Sequence, residues 1–545
     1  GHSVIAAQVM TRLEKETGVS MPLTTLFKSP VLEELALLID KDKVNGKHSA
    51  IDDKITLAET EPDKIFIPAI ESQMEIWLAC ILGGEDASRS YNISMSEKLY
   101  GKLDMNAMKL ALQDLINRHE SFRTTFDGEH EKACIHKNWP LKLYTEDISS
   151  LSSAQQQIFI DKFSKQNAET TFDLENGPLH RVALFKLGEE LHYFTIAIHH
   201  IICDGWSLGI LMQELSKLYS AHAKNEMPDL PPAAKFSEFV VKEIEFSKSE
   251  AYKKIERYWL DQFKDAVPVL ELPLDYPRPS TRTYKSHRDD YALNPKIISD
   301  IKKISATAGC SMAIAMRAAF EIFLYELAKQ NDLVLGLSVS GQLATGNFNL
   351  VGHCANVLPV RATLKDGLSF TEYLQERKLA ILDAYDHQRV SFGSLLKKLN
   401  IARDRSRVPL VSTVFNIEMI SDDDGVDFFG LKHEMIFNPR EYETFDLFLN
   451  TGGTEAEPTL QWSYNTQLFK AASIKQIMSA FESLLKEIIK TPDSKTNDLL
   501  LFVQKKLNEQ SSENNNKSAE KKYRELPELD IESKTVIDVF LEQVK

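Results

Sequence analysis

Cysteine is scarce in this chain. Five thiols, Cys80, Cys134, Cys203, Cys310 and Cys354, are spread through 545 residues. No two sit at C-x-x-C spacing, so a structural zinc site is not expected and no metal is assigned. An odd, scattered set fits reduced thiols in a cytoplasmic protein better than a disulfide framework. Basic charge is short too: 64 Lys and Arg face 79 Asp and Glu, a net charge of −15. Without a basic block, such a chain is a poor ligand for nucleic acid or an anionic membrane surface. No apolar run approaches the roughly eighteen residues of a membrane span, and the N-terminus has no basic-then-apolar leader. A G-x-S-x-G elbow is also missing, which leaves no activated serine nucleophile in view.

Apolar residues make up 43% and charged residues 26% of the chain, the balance of a globular protein with a sizeable core. Its length exceeds what one core organises, so two or more domains are expected. Residues 1–42 read as two helices, VIAAQVMTRLEKETG after Ser3 and VLEELALLID after Ser29-Pro30. Residues 43–64 are polar and read as a linker. From 65 to 235 helices and strands alternate: LDMNAMKLALQDLINRH is a helix capped by Asp104, and LHYFTIAIHH is a strand. A helix is expected from Ser207. Residues 236–490 repeat the mixture, with SMAIAMRAAFEIFLYELAKQ a buried helix and DLVLGLSVSG a buried strand. ELPLDYPRPSTRTY is too rich in proline to be regular. Residues 491–534 read as a second linker, and the final TVIDVFLEQVK is amphipathic, so the chain looks cut from something larger at both ends.

The chemistry concentrates in His199-His200-Ile201-Ile202-Cys203-Asp204-Gly205-Trp206-Ser207. Successive strand side chains point to opposite faces, so His199 and His200 cannot both reach one metal. One imidazole can face a channel while the other packs behind it. Gly205 then offers a bare N–H near a helix start, a geometry able to stabilise an oxyanion. Asp204 is expected to hold the turn through an arginine. A neutral imidazole can take a proton from an attacking nucleophile. Asp204 would raise the pKa of Cys203 and blunt it, which favours direct transfer between two bound substrates over a covalent intermediate.

HHIICDGWS resembles the HHxxxDG signature of acyltransferases related to chloramphenicol acetyltransferase, a group that includes the condensation domains of nonribosomal peptide synthetases. Further family motifs follow in order: NRHESFRTTF (117–126), LVGHCANVLPVR (350–361), DHQRVSF (386–392) and ARDRSRVPL (402–410). The likeness spans roughly residues 65–490. It implies a mixed α/β (α+β) fold of two chloramphenicol-acetyltransferase-like lobes, 65–235 and 236–490, in a V-shaped pseudo-dimer. The catalytic set it implies is His200 as base or positioning group, Gly205 as oxyanion donor and His199 behind them. Asp204 would pair with Arg118 in preference to Arg123, and Trp206, Ser207 and Asn356 would line the substrate channel.

The first 42 residues resemble the C-terminal part of a carrier domain, with Ser3 as the attachment point of 4′-phosphopantetheine. Residues 535–545 resemble the opening of an adenylation domain. This order implies amide-bond formation between an upstream acyl thioester and the amine of a downstream aminoacyl thioester, with both carrier domains and the adenylation domain as partners. Epimerisation and non-catalytic carrier docking are the alternatives. The first motif departs from SxAQxRLW, reading Glu71-Ser72-Gln73-Met74-Glu75-Ile76-Trp77, and HQD has become His387-Gln388-Arg389. Together with VMTRLEKETG, the altered first motif resembles mixed polyketide–peptide lines and suggests a ketide or β-hydroxyacyl donor.

Overall fold

A computed structural model of the chain describes residues 59–509, except 128–131, 266, 400, 402–403, 420–424 and 439, together with 32–45, 13 and 17. Ser3, residues 510–545 and most of the 43–64 segment lie outside the described residues. Among the described residues no single helix is long and apolar enough to cross a membrane.

Among the described residues there are fifteen strands. The first eight are β1 (Glu59–Glu61), β2 (Lys64–Pro68), β3 (Asn92–Tyr100), β4 (Thr124–Asp127), β5 (Lys132–His136), β6 (Leu143–Asp147), β7 (His180–Gly188) and β8 (Leu191–His199). The rest are β9 (Ser286–Ala292), β10 (Asp332–Ser340), β11 (Ala355–Thr363), β12 (Thr413–Ile417), β13 (Lys432–Phe437), β14 (Leu447–Gly453) and β15 (Pro458–Asn465). They form three sheets, β1-β2-β5-β4, β13-β3-β8-β7-β6 and β11-β10-β12-β14-β15-β9.

Two large cores define two mixed α/β lobes. In the first, Asp104 Oδ1 accepts from the N–H groups of Asn106 (2.9 Å) and Ala107 (3.0 Å), starting the Met105–Arg118 helix. Met108, Ala111, Leu112 and Leu115 recur at helical spacing and are buried. This helix packs against Gly205–Ala223, and both share the first core with strands of the five-stranded sheet. Every residue of β8 from His192 to His199 is buried, as a central strand covered on both faces requires. The second lobe is built on the Met312–Ala328 helix, capped by Ser311 and buried on all sides from Ile314 to Leu327. Beside it runs β10, paired antiparallel with β11 and parallel with β12.

Packing does not divide the lobes at 235/236. Phe236, Phe239 and Val240, from the Phe236–Ser247 helix, belong to the first core. So do Leu350, Val351, Cys354, Phe428 and Leu431. Strand β13 leaves the second lobe to pair antiparallel with β3, Lys432 opposite Tyr100 and Phe437 opposite Met95. Two segments read as linkers also carry structure: β1 pairs with β2, and residues 496–509 are helical, with Leu499 and Val503 one turn apart and buried in the second core.

A buried charge cluster ties the second lobe together. Glu321 is fully buried and accepts from Arg317 Nε (3.1 Å), Arg377 Nε (2.7 Å) and the Tyr373 hydroxyl (2.9 Å). Arg317 also donates to the carbonyls of Leu335 (2.7 Å) and Gly336 (2.8 Å), which fixes helix 312–328 against β10. Removing the carboxylate strands two buried guanidinium groups, so Glu321→Ala should cost about 3–5 kcal/mol. A urea titration of the full chain checks this, with wild-type stability as the contrary result.

Candidate active site

Strand β8 ends on His199, opposite Asn92 of β3. The chain then turns, with Ile202 N–H donating to His199 O (3.1 Å) and Cys203 N–H to His200 O (3.4 Å). The helix begins at Gly205, two residues earlier than the sequence suggests, because Asp204 rather than Ser207 is its cap. Gly205 therefore occupies the first turn, where N–H groups have no intrahelical acceptor.

The two histidines separate as strand alternation requires. His199 is fully buried; its Nδ1 accepts from the Ile201 N–H (3.3 Å), and its Nε2 lies 3.9 Å from Cys80 Sγ. Burial, with His200 and Arg181 adding to it, pushes its pKa down to about 3. His200 is half-buried and borders a cavity of about 3260 Å3. Desolvation and then Arg440 hold its pKa below the ordinary imidazole value, so it is neutral near pH 7. Gly205, Trp206 and Asn356 border the same cavity, whose wall reaches surface residues on two separate elements, Leu82 of the Glu71–Arg89 helix and Lys303 of the Pro295–Thr307 helix. Trp206 Nε1 donates to Phe348 O (2.9 Å), and Asn356 Nδ2 to Val390 O (2.5 Å).

Among the described residues Asp204 pairs with no arginine. Arg118 reaches Glu214 instead, Nε to Oε2 at 2.7 Å and Nη2 to Oε1 at 3.2 Å, and also donates to the Pro231 carbonyl. Glu214 lies ten residues beyond Asp204, about 15 Å along the helix axis. His119 Nε2 shares that carboxylate at 2.7 Å. Arg123 donates to the carbonyls of Ile116 (3.1 Å), Lys137 (3.1 Å) and His136. Both arginines brace the first lobe away from the turn.

The partners of Asp204 are neutral donors from both lobes. Its Oδ1 accepts from the Ser207 N–H (2.9 Å) and hydroxyl (2.7 Å), and its Oδ2 from the Cys354 N–H (2.9 Å). Gln342 Nε2, on the short Gly341–Thr345 helix after β10, lies 3.1 Å from both oxygens. Ser207 was expected to line the channel; it is fully buried and braces the turn instead, its hydroxyl accepting from the Gly352 N–H (3.1 Å). Gly352 is required there because a Cβ would sit 2.2 Å from the Phe236 ring.

Two groups escaped sequence reasoning. His353 lies in the LVGHCANVLPVR stretch at a position the family pattern leaves variable, and its Nδ1 lies 3.3 Å from His200 Nδ1. Glu418, just past β12, puts Oε1 3.1 Å from where a Gly205 Cβ would stand. Desolvation raises its carboxyl pKa above the ordinary range. Glycine at 205 thus keeps a side chain off that carboxylate. Burial first, and Asp204 second, push the Cys203 thiol well up, so it is no nucleophile.

The condensation-domain family matches residues 65–510, and the phosphopantetheine-attachment-site family matches residues 1–39. Tyrocidine synthase 3 of Brevibacillus parabrevis is 31% identical over 92% of the chain, and gramicidin S synthase 2 of Brevibacillus brevis 29% over 100% of the chain. The chain spans only 7% and 12% of those two proteins. Among solved structures, the X-domain from teicoplanin biosynthesis superposes with a TM-score of 0.70 at 22% identity, over 81% of this chain and 98% of that one. The condensation domain of the monacolin K polyketide synthase MokA gives 0.70 at 20%, over 81% and 99%. At these identities the structures establish the shared fold alone.

Removal of the Asp204 carboxylate orphans buried donors on both lobes. Asp204→Ala should therefore lower stability by about 3–5 kcal/mol and reduce product together. Asp204→Asn should be nearly as damaging, because its NH2 must face other donors, whereas an arginine partner would have left Arg118→Ala equally harmful. Thermal melts of the three variants separate these cases.

Proposed function

The chain belongs to the condensation-domain family, and from that premise we propose that it joins two carrier-borne thioester substrates by an amide bond. The observation that carries this reading is a half-buried, neutral imidazole, His200, on a cavity walled by both lobes. The acceptor amine attacks the donor thioester carbonyl. A C–N bond forms, the C–S bond breaks, and the proton released by the amine passes through His200 to the departing thiolate. His200 serves as base, its low pKa keeping the lone pair available. The Gly205 N–H, at the positive end of the 205–223 helix, is the candidate donor to the developing oxyanion. His199, sealed behind the strand end, supports the turn rather than touching substrate.

In this reading residues 1–42 are the C-terminal part of the upstream carrier, 65–510 the condensation domain, extended past 490 by the helix that carries Leu499 and Val503 into the second core, and 535–545 the start of an adenylation domain. Ser3 would hold 4′-phosphopantetheine, which supplies the thiol that bears the donor acyl group. The downstream carrier and the adenylation domain are the further partners. The cavity brings both thioesters to one imidazole, and proximity supplies much of the rate.

His200→Ala should reduce amide product at least about 100-fold in a reconstituted two-carrier assay; wild-type turnover would overturn the reading. Because the pKa of His200 lies below its ordinary 6.5, the base stays unprotonated as pH falls through that value. The loss of rate that belongs to His200 should therefore set in only below pH 6.5, beneath the limb set by the acceptor amine at about pH 8, checked by a pH profile with carriers stable across the range. Ser3→Ala should show no phosphopantetheine mass shift when a transferase and coenzyme A are supplied.

A further inference from the structure

The His200 ring has a partner that the acyl-transfer reading leaves unused. His353 arrives from the second lobe on the loop between the Gly341–Thr345 helix and β11. Its Nδ1 stands 3.3 Å from His200 Nδ1, the rings meeting edge to face with centroids 5.2 Å apart. His353 is only 6% exposed, flanked by Gly352, which bonds Ser207, and by Cys354, whose N–H bonds Asp204. The loop that secures Asp204 therefore also delivers this imidazole.

We infer that His353 is a positioning residue: it accepts the Nδ1–H of His200, holding His200 in the tautomer whose Nε2 lone pair is open to the acceptor amine. The inference rests on the reading of His200 as base. A neutral imidazole has one N–H and one lone pair, so two Nδ1 atoms in hydrogen-bond contact share a single proton. With that proton on His200 Nδ1, the lone pair lies on Nε2, as a general base requires. When His200 takes the amine proton it becomes a cation with N–H groups on both nitrogens, and the His353 lone pair accepts one of them. Burial, reinforced by His200 and His199, keeps His353 neutral and so able to accept. The charged and titratable groups that bear on the pair are Asp204 and His199 from the first lobe and Arg440 from the second, with Glu418 facing both Asp204 and Arg440; the backbone at His200 also faces both rings, and that at Cys203 faces the His200 ring. A carboxylate in place of His353 would draw the proton more strongly; a neutral ring holds the tautomer without adding charge to the cavity.

The test uses the full chain, loaded with its carrier substrates. His353→Phe should lower kcat/KM about 10–100-fold, the scale seen when a functional histidine loses its orienting partner. It should also move the acid limb of the pH profile to lower pH, because the His200 cation has lost an acceptor. His353→Gln, whose amide oxygen accepts the same proton, should stay within a few-fold of wild type with its limb in place. Nitrogen-15 NMR of histidine-labelled protein, with His200 assigned by loss of its signals in His200→Gln, should show the wild-type proton on Nδ1. A proton on Nε2 overturns the inference, as does a folded His353→Phe variant with unchanged rate and profile. Should that variant fail to fold, the wild-type NMR spectrum and the glutamine variant still decide. Loss of activity in His200→Ala alongside an indifferent His353→Phe would sink this inference and leave the condensation reading standing.

Discussion

One buried carboxylate organises the site. Asp204 is 1% exposed and lies where an unpaired charge would cost several kcal/mol. Four neutral donor groups and the positive end of a helix surround it. Two of those donors belong to the turn itself, and two come from the second lobe. The charge is therefore satisfied only when the lobes are assembled. His200, Gly205 and His353 are placed by the same hydrogen bonds, so the geometry of the imidazole depends on that assembly.

The lobes are coupled elsewhere in the same manner. Strand β13 extends the first-lobe sheet along β3, and the 350–354 loop contributes apolar side chains to the first core. Glu75, near the start of the Glu71–Arg89 helix, accepts from the Gly393 N–H (2.8 Å) on the Phe392–Lys398 helix of the other lobe. Burial raises its carboxyl pKa to about 7. Arg389 pairs with Glu243 at 2.7 Å. These contacts frame a cavity neither lobe closes alone.

Much of this was legible in the residues. Alternation along β8 separates the roles of His199 and His200. Periodicity marks the 105–118 and 312–328 helices, and Asp104 marks a start. What escaped was long-range pairing. An arginine is the natural guess for a carboxylate's partner, yet Asp204 is held by a glutamine 138 residues away and by a backbone amide, and no sequence spacing encodes either. An amphipathic strand such as Lys432–Phe437 fits either sheet by composition, so the pattern could not show that β13 crosses over. Ser207 reads as the helix start in the sequence, but the Asp204 side chain accepts from the Ser207 N–H, so the helix begins two residues earlier. His353 sat in a variable motif position and carried no signal until the fold brought it to His200.

The electrostatics of the cavity explain why direct transfer suits this site. Desolvation pushes the imidazoles of His199, His200 and His353 down, the thiols of Cys203 and Cys354 up, and the carboxyl of Glu418 up. Each shift favours the neutral form. Thiolates able to form a covalent acyl intermediate are suppressed by the same burial that leaves His200 with a free lone pair. In a medium of low dielectric, charge that develops along the reaction is felt strongly, so a fixed N–H at a helix start contributes more there than it would in water. A base that is neutral at rest, beside a neutral partner able to share its proton, then adds charge to the cavity only as the amine releases its own.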